Sequence, residues 1–220
     1  MRRKKEVKDY DRDKKQYISY SAFPETLTPH SSAIGIYIEV RAPFVLVSNK
    51  ASWVYFIKLD EKSDSYTCDH VIQSNFAKAG QIYLLNAEPG RYAVVASCQK
   101  QTPIAQPSHT YTTFFPKELI KLTEVTVVPE EISFMGKYIV KHYVGLKNAD
   151  DAQLHYARLI TPNVKSGMLS RAFSGKTICR GTLLKENRDK QAEIKFLNKA
   201  LKHLKGTNWV DSIQKQLRLL

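Results

Sequence analysis

The stretch Gln81–Cys98 constrains the fold more than any other part of the chain. It reads Gln-Ile-Tyr-Leu-Leu-Asn, then Ala-Glu-Pro-Gly, then Arg-Tyr-Ala-Val-Val-Ala-Ser-Cys. Two β-prone runs flank Pro89-Gly90. Proline presets the φ of the first central turn position, and glycine accepts positive φ at the second. A hairpin is the expected result. Tyr92, Val94, Ala96 and Cys98 would point to a core, and Arg91, Ala93, Val95 and Ser97 away from it.

The same period of two recurs on both sides. Ile34, Ile36, Ile38 and Val40 alternate with Gly35, Tyr37, Glu39 and Arg41. Phe44–Val47 is a short run, and Trp53–Leu59 and Tyr66–Gln73 flank a polar loop. Tyr111–Phe115 reads as a strand, and 116–120 as one helical turn. Thr123–Val128 and Ile132–Val144 flank Pro129-Glu130-Glu131. In the second of these, Ile132, Phe134, Gly136, Tyr138 and Val140 fall on one face. The pattern predicts a mainly β protein, an antiparallel β-sandwich of about seven to nine strands.

From Asn187 the period becomes helical: Ile194, Leu197, Leu201 and Leu204, then Trp209, Ile213, Leu217 and Leu220 beyond Gly206 and Asn208. These segments predict a C-terminal two-helix hairpin. The expected organisation is a flexible basic arm and lead-in over 1–32 and the sandwich over 33–160. A basic linker with the helical hairpin fills 161–220.

Charge follows this division. The chain of 220 residues carries a net +13. Residues 1–15 hold 8 Lys/Arg against 4 Asp/Glu, residues 16–164 hold 13 against 13, and residues 165–220 hold 13 against 4. A basic end suits nucleic acid, anionic lipid or an acidic partner. The first ten residues lack the apolar stretch of a signal peptide, and no run has the ~20 apolar residues of a membrane helix. Cys68, Cys98 and Cys179 are widely spaced. Export would open a Cys68–Cys98 bridge, and Cys98 otherwise reads as a small core residue.

The run Gln-Ile-Tyr-Leu-Leu, Pro-Gly-Arg-Tyr-Ala-Val-Val-Ala, then Phe-Phe-Pro-Lys-Glu-Leu-Ile-Lys-Leu-Thr-Glu-Val-Thr-Val-Val-Pro-Glu-Glu-Ile-Ser-Phe-Met-Gly resembles the prealbumin-like β-sandwich domains of spirochaetal cell-envelope lipoproteins. An apolar strand, a Pro-Gly turn and a Tyr-containing strand precede a return of the form valine, proline, aromatic-x-Gly. The likeness covers about residues 33–142. It implies export and lipid attachment at an N-terminal cysteine, and brings no catalytic residues. No cysteine precedes Cys68 and no lipobox is present. The expected place is therefore the cell envelope if a leader has been trimmed, and the cytoplasm otherwise. Any membrane association would run through that lipid anchor.

Chemistry-bearing patterns are sparse. The six histidines, His30, His70, His109, His142, His155 and His203, have no metal-ligand spacing. Asp60, Glu61 and Asp64 lack the remaining features of a calcium loop. Adjacent carboxylates at Glu130-Glu131 and Asp150-Asp151 diverge on strands and turns. Ser174-Gly175-Lys176-Thr177 ends like a phosphate loop, but position 170 is serine instead of glycine. The expectation is a non-enzyme with no cofactor and no metal. Tyr111 and Phe114 with Lys117 and Lys121 make one candidate partner surface, aromatic and cationic. Lys195, Lys199 and Lys202 make a second on one helical face. The expected function is a binding or structural module presented to a protein or other macromolecule. The alternative is a cytosolic adaptor that holds nucleic acid through its Lys-rich helices.

Overall fold

The computed structural model describes residues 8–11, 16–20, 31–41, 49–60, 66–101, 108–162 and 175–220, with 8–11 and 16–20 described as backbone. Its strands are β1 (Lys8–Asp11), β2 (Gln16–Tyr20), β3 (Ser32–Arg41), β4 (Asn49–Lys50), β5 (Trp53–Leu59), β6 (His70–Gln73) and β7 (Phe76–Lys78). They continue with β8 (Gln81–Ala87), β9 (Gly90–Gln101), β10 (His109–Phe114), β11 (Val125–Val127), β12 (Ile132–Val144) and β13 (Lys176–Asn187). Among the described residues four helices accompany them: α1 (Lys117–Leu122), α2 (Asp151–Ile160), α3 (Lys190–His203) and α4 (Trp209–Leu219). The described chain is thus mainly β, a mixed sheet with helices.

The sheet runs β1-β2-β6-β5-β9-β10-β13-β12-β3-β8-β7, with β11 on β9 and β4 on β3. The expectation of purely antiparallel pairing is met only in part. β2–β6, β10–β13 and β3–β12 are parallel, and the other pairings antiparallel. Two strands fall in the expected flexible arm, where Tyr17, Ile18 and Tyr20 supply β-prone side chains and β2 pairs with β6. Part of the expected basic linker is strand as well: β13 lies between β10 and β12. The expected runs 44–47 and 61–64 lie outside the described residues.

The Pro-Gly segment behaves differently from a hairpin. β8 pairs with β3 and β7, whereas β9 pairs with β5, β10 and β11. Asn86 at φ +56° and Gly90 at φ +144° turn the chain from one part of the sheet to another, and the Tyr92 hydroxyl closes the corner on the Glu88 carbonyl at 3.0 Å. Pro129-Glu130-Glu131 does the same, since β11 pairs with β9 and β12 with β3 and β13. Chemistry that bends a chain does not decide which strands it joins.

One core draws on both parts of the sheet, with Ile36, Ile38 and Val140 meeting Phe56 and Val94 in a single apolar cluster. Ala93 and Val95, expected to point away from it, are buried too, because α1 and α2 both lie against β9. A second cluster covers the other face of β3, β8 and β12. There Ala33, Tyr83, Leu85 and Phe134 meet Phe196, Leu197, Trp209 and Ile213 of the last two helices. All three cysteines are free: Cys98 Sγ donates to Thr112 Oγ1 at 3.4 Å and Cys68 Sγ to the His70 carbonyl at 3.3 Å.

Candidate functional site

A cleft of about 240 Å³ opens where β3 and β12 meet the first turns of α3. Its floor is Phe134 and Phe196, and its walls include Tyr37, Lys137, Lys195 and Lys199. How Lys137 comes to face it is a matter of register. Phe134 pairs with Gly35, Gly136 with Ile36 and Lys137 with Tyr37, so β12 carries one extra residue opposite β3. This β-bulge shifts which side chains share a face. Phe134 belongs to the helix-covered cluster and Tyr138 to the main core, although simple alternation puts them together. Gly136 sits at φ +126°, a conformation in which glycine is nearly free of strain.

The α3 side is fixed by three contacts. Asp189 caps the helix, its Oδ1 accepting from the Ala192 amide at 2.7 Å. Gln81 Nε2 donates to the Phe196 carbonyl at 3.0 Å, and Gln81 is buried. Gly35 allows the Phe196 ring to lie on β3: a Cβ there would stand 2.6 Å from Phe196 Cζ. Farther on, Gln216 of α4 acts as a strand mimic. Its Oε1 accepts from the Ile132 amide at 3.2 Å and its Nε2 donates to the Ile132 carbonyl at 3.1 Å.

The electrostatics of the cleft are one-sided. Lys137, Lys195 and Lys199 line it, with Asp189 as its acidic residue. Among the described residues none of the three lysines is in an ion pair. The Lys137 ammonium lies 5.1 Å from the centroid of the Tyr37 ring, a cation–π contact. Burial, and after it the Glu39 carboxylate, hold the Tyr37 phenol above its ordinary pKa, so it stays a hydrogen-bond donor. His203 is the last residue of α3. Burial and then the charges of Lys78 and Lys199 hold its imidazole below the usual value.

The residues expected as partner contacts divide between two places. Lys195 and Lys199 line the cleft, while Lys202 is exposed on α3 outside it. Lys117 and Lys121 are exposed on α1. Phe114 has no exposed surface and is part of the core, which corrects its reading as a surface contact. It lies on a strand paired on both edges, under α2. Tyr111 is half-buried in a row of rings, 4.8 Å from His109 and 5.8 Å from His142. Sequence reasoning missed Lys137, Asn187 and Gln191 as cleft residues. Tyr37, on the polar side of an otherwise apolar strand, was the visible signal.

Elsewhere, His155 Nε2 contacts the Cys68 carbonyl at 3.1 Å and lies 3.8 Å from Asp69, without reaching the Cys68 sulfur. Burial raises that thiol's pKa, which opposes nucleophilic use. Lys176 and Thr177 lie in β13, so the phosphate-loop likeness has no helix start behind it. No helix among the described residues is long and apolar enough to cross a membrane. No protein-family model, curated protein or solved structure matches this chain.

Proposed function

We propose that the chain is a non-catalytic β-rich binding module of the cell-envelope type, and that the cleft between β3, β12 and α3 is its ligand-facing surface. The observation that carries this reading is that Lys137, Lys195 and Lys199 line one cleft with Tyr37, Lys137 over its ring, with no ion pair to any of the three among the described residues. Cations free of ion pairs that line one cleft with a half-buried aromatic ring are recognition chemistry. They perform no bond-making on their own.

A sandwich architecture is the finer reading of the fold. The strands from β1 to β10 and those from β13 to β7 lie on either side of the parallel β10–β13 junction, and both contribute to one core. The corners at Pro89-Gly90 and Pro129 carry the chain between the two groups, as sandwich connections do. In this reading α3 and α4 form a hairpin on the outer face. The resemblance of about residues 33–142 to prealbumin-like lipoprotein domains supports the envelope as the working compartment, with a lipid anchor upstream.

The test is made on the native gene product in its own cells. After fractionation, brief acylation of intact envelopes is compared with that of the purified chain. The module reading predicts recovery with the envelope and slower labelling of Lys137, Lys195 and Lys199 in situ, with Lys100 and Lys147 unchanged. Recovery in the cytosol contradicts the compartment, and equal labelling of the cleft lysines in both states contradicts the assignment of the surface.

A further inference from the structure

We infer that the cleft holds a phosphorylated sugar or polyol, the phosphate lying among Lys137, Lys195 and Lys199 and the hydroxyl-bearing carrier against Tyr37, Asn187 and Gln191. This rests on the reading of the cleft as the ligand-facing surface and names the chemistry of what it takes.

Charge gives the phosphate. Three lysines against Asp189 leave the cleft a formal +2. Asp189 Oδ1 is already engaged in capping α3. A phosphomonoester carries about −1.5 to −2 near neutral pH, a closer match than a single carboxylate. Lys195 and Lys199 are also four apart on one helix, where like charges repel, and Lys137 adds a third cation from the sheet. An anion between them removes that repulsion. Two of the three cations, Lys195 and Lys199, come from α3, so the positive charge lies mainly on the helix side of the cleft.

Size and lining give the carrier. About 240 Å³ accommodates a monosaccharide-sized group with its phosphate and lies below the usual range for drug-sized ligands. Asn187 Oδ1 accepts from the Asp189 amide at 3.0 Å, and its NH₂ group has no partner among the described residues. Gln191 is exposed at the cleft wall, and the Tyr37 phenol remains protonated. A nucleic-acid strand calls for a track of cations along its backbone. Here Lys202 lies outside the cleft, and Lys117 and Lys121 belong to a different helix.

Calorimetric titration of the full chain in low salt tests the proposal. Glucose 6-phosphate is the probe, with glucose, inorganic phosphate and a single-stranded oligonucleotide alongside. The expected result is binding of glucose 6-phosphate, weaker binding of inorganic phosphate, and none of glucose. The double variant Lys195→Gln/Lys199→Gln loses about tenfold or more in affinity, while Lys117→Gln/Lys121→Gln keeps it. Phosphatidylcholine vesicles containing phosphatidylinositol 4-phosphate separate a lipid-borne from a free source. Binding that glucose 6-phosphate displaces supports the same cleft chemistry on a lipid. Absence of binding to both glucose 6-phosphate and the phosphatidylinositol 4-phosphate vesicles overturns the proposal, as does equal affinity in the cleft variant or tighter binding of the oligonucleotide. Protection of the cleft lysines in intact envelopes is independent of these outcomes, so a wrong ligand class and a wrong surface give different results.

Discussion

Tyr37 and Lys137 stand opposite one another in the parallel β3–β12 ladder, with the lysine ammonium 5.1 Å from the tyrosine ring centroid. Their pairing exists because β12 bulges before Gly136. Without the extra residue, Lys137 would fall on the core side, where an unpaired charge is costly. Gly136→Ala puts a Cβ 3.0 Å from the Tyr138 hydroxyl and forces φ +126° on a residue that resists it. Urea denaturation is expected to show a loss of about 1–3 kcal/mol. An unchanged midpoint would mean that the bulge accepts a side chain at this position, contrary to the backbone described.

Phe196 lies on Gly35 with no room for a methyl group between them. Gly35→Ala should cost about 1–3 kcal/mol as the ring is pushed from β3. Combined with Phe196→Leu, the loss should be smaller than the sum of the two single changes, because the clash has been removed. A double-mutant cycle in urea measures the coupling; strict additivity would contradict the packing described.

Gln216 pairs with both polar groups of the Ile132 backbone. Gln216→Leu leaves them without those partners in a buried site, at about 1–3 kcal/mol for each group left unsatisfied. Amide hydrogen exchange at Ile132 should accelerate in the variant. If Ile132 exchanges as slowly as before, Gln216 is not what protects it.

Stability should fall as the solution is acidified below the ordinary histidine value. Burial is the first cause that holds His70, His142 and His203 below 6.5. The unfolded chain therefore binds more protons there than the folded one, and stability is lost as pH falls from about 6.5. His142 contributes directly, since its Nδ1 is buried without a partner among the described residues and its ring stacks on Tyr111. His142→Phe keeps the stacking and should flatten the fall in urea midpoint from about pH 7.5 to about pH 5.5. An identical slope would show that His142 titrates normally in the folded state.

The local patterns were legible, and the long-range pairing was not. Ile34–Val40 declared its buried face, and Ile194, Leu197, Leu201 and Trp209 declared two amphipathic helices. Helix α2 was signalled by Asp150 and Gln153, which form a capping box, yet its short span hid among polar neighbours. Strand β13 alternates poorly because much of it is exposed, so its place between β10 and β12 left little trace. Pro89-Gly90 announced a turn but not that its flanking strands join different neighbours. Lys195 and Lys199 were visible as a helical face, whereas Lys137 joins the same cleft through a bulge that only the paired strand defines.

The cleft is tested most directly by lysine NMR on the reductively dimethylated chain, titrated with glucose 6-phosphate. The signals of Lys137, Lys195 and Lys199 should shift together along one saturating curve, with Lys117, Lys121 and Lys202 nearly still. Shifts spread evenly over all six, or none at the first three, would contradict a built anion site at this place in the fold.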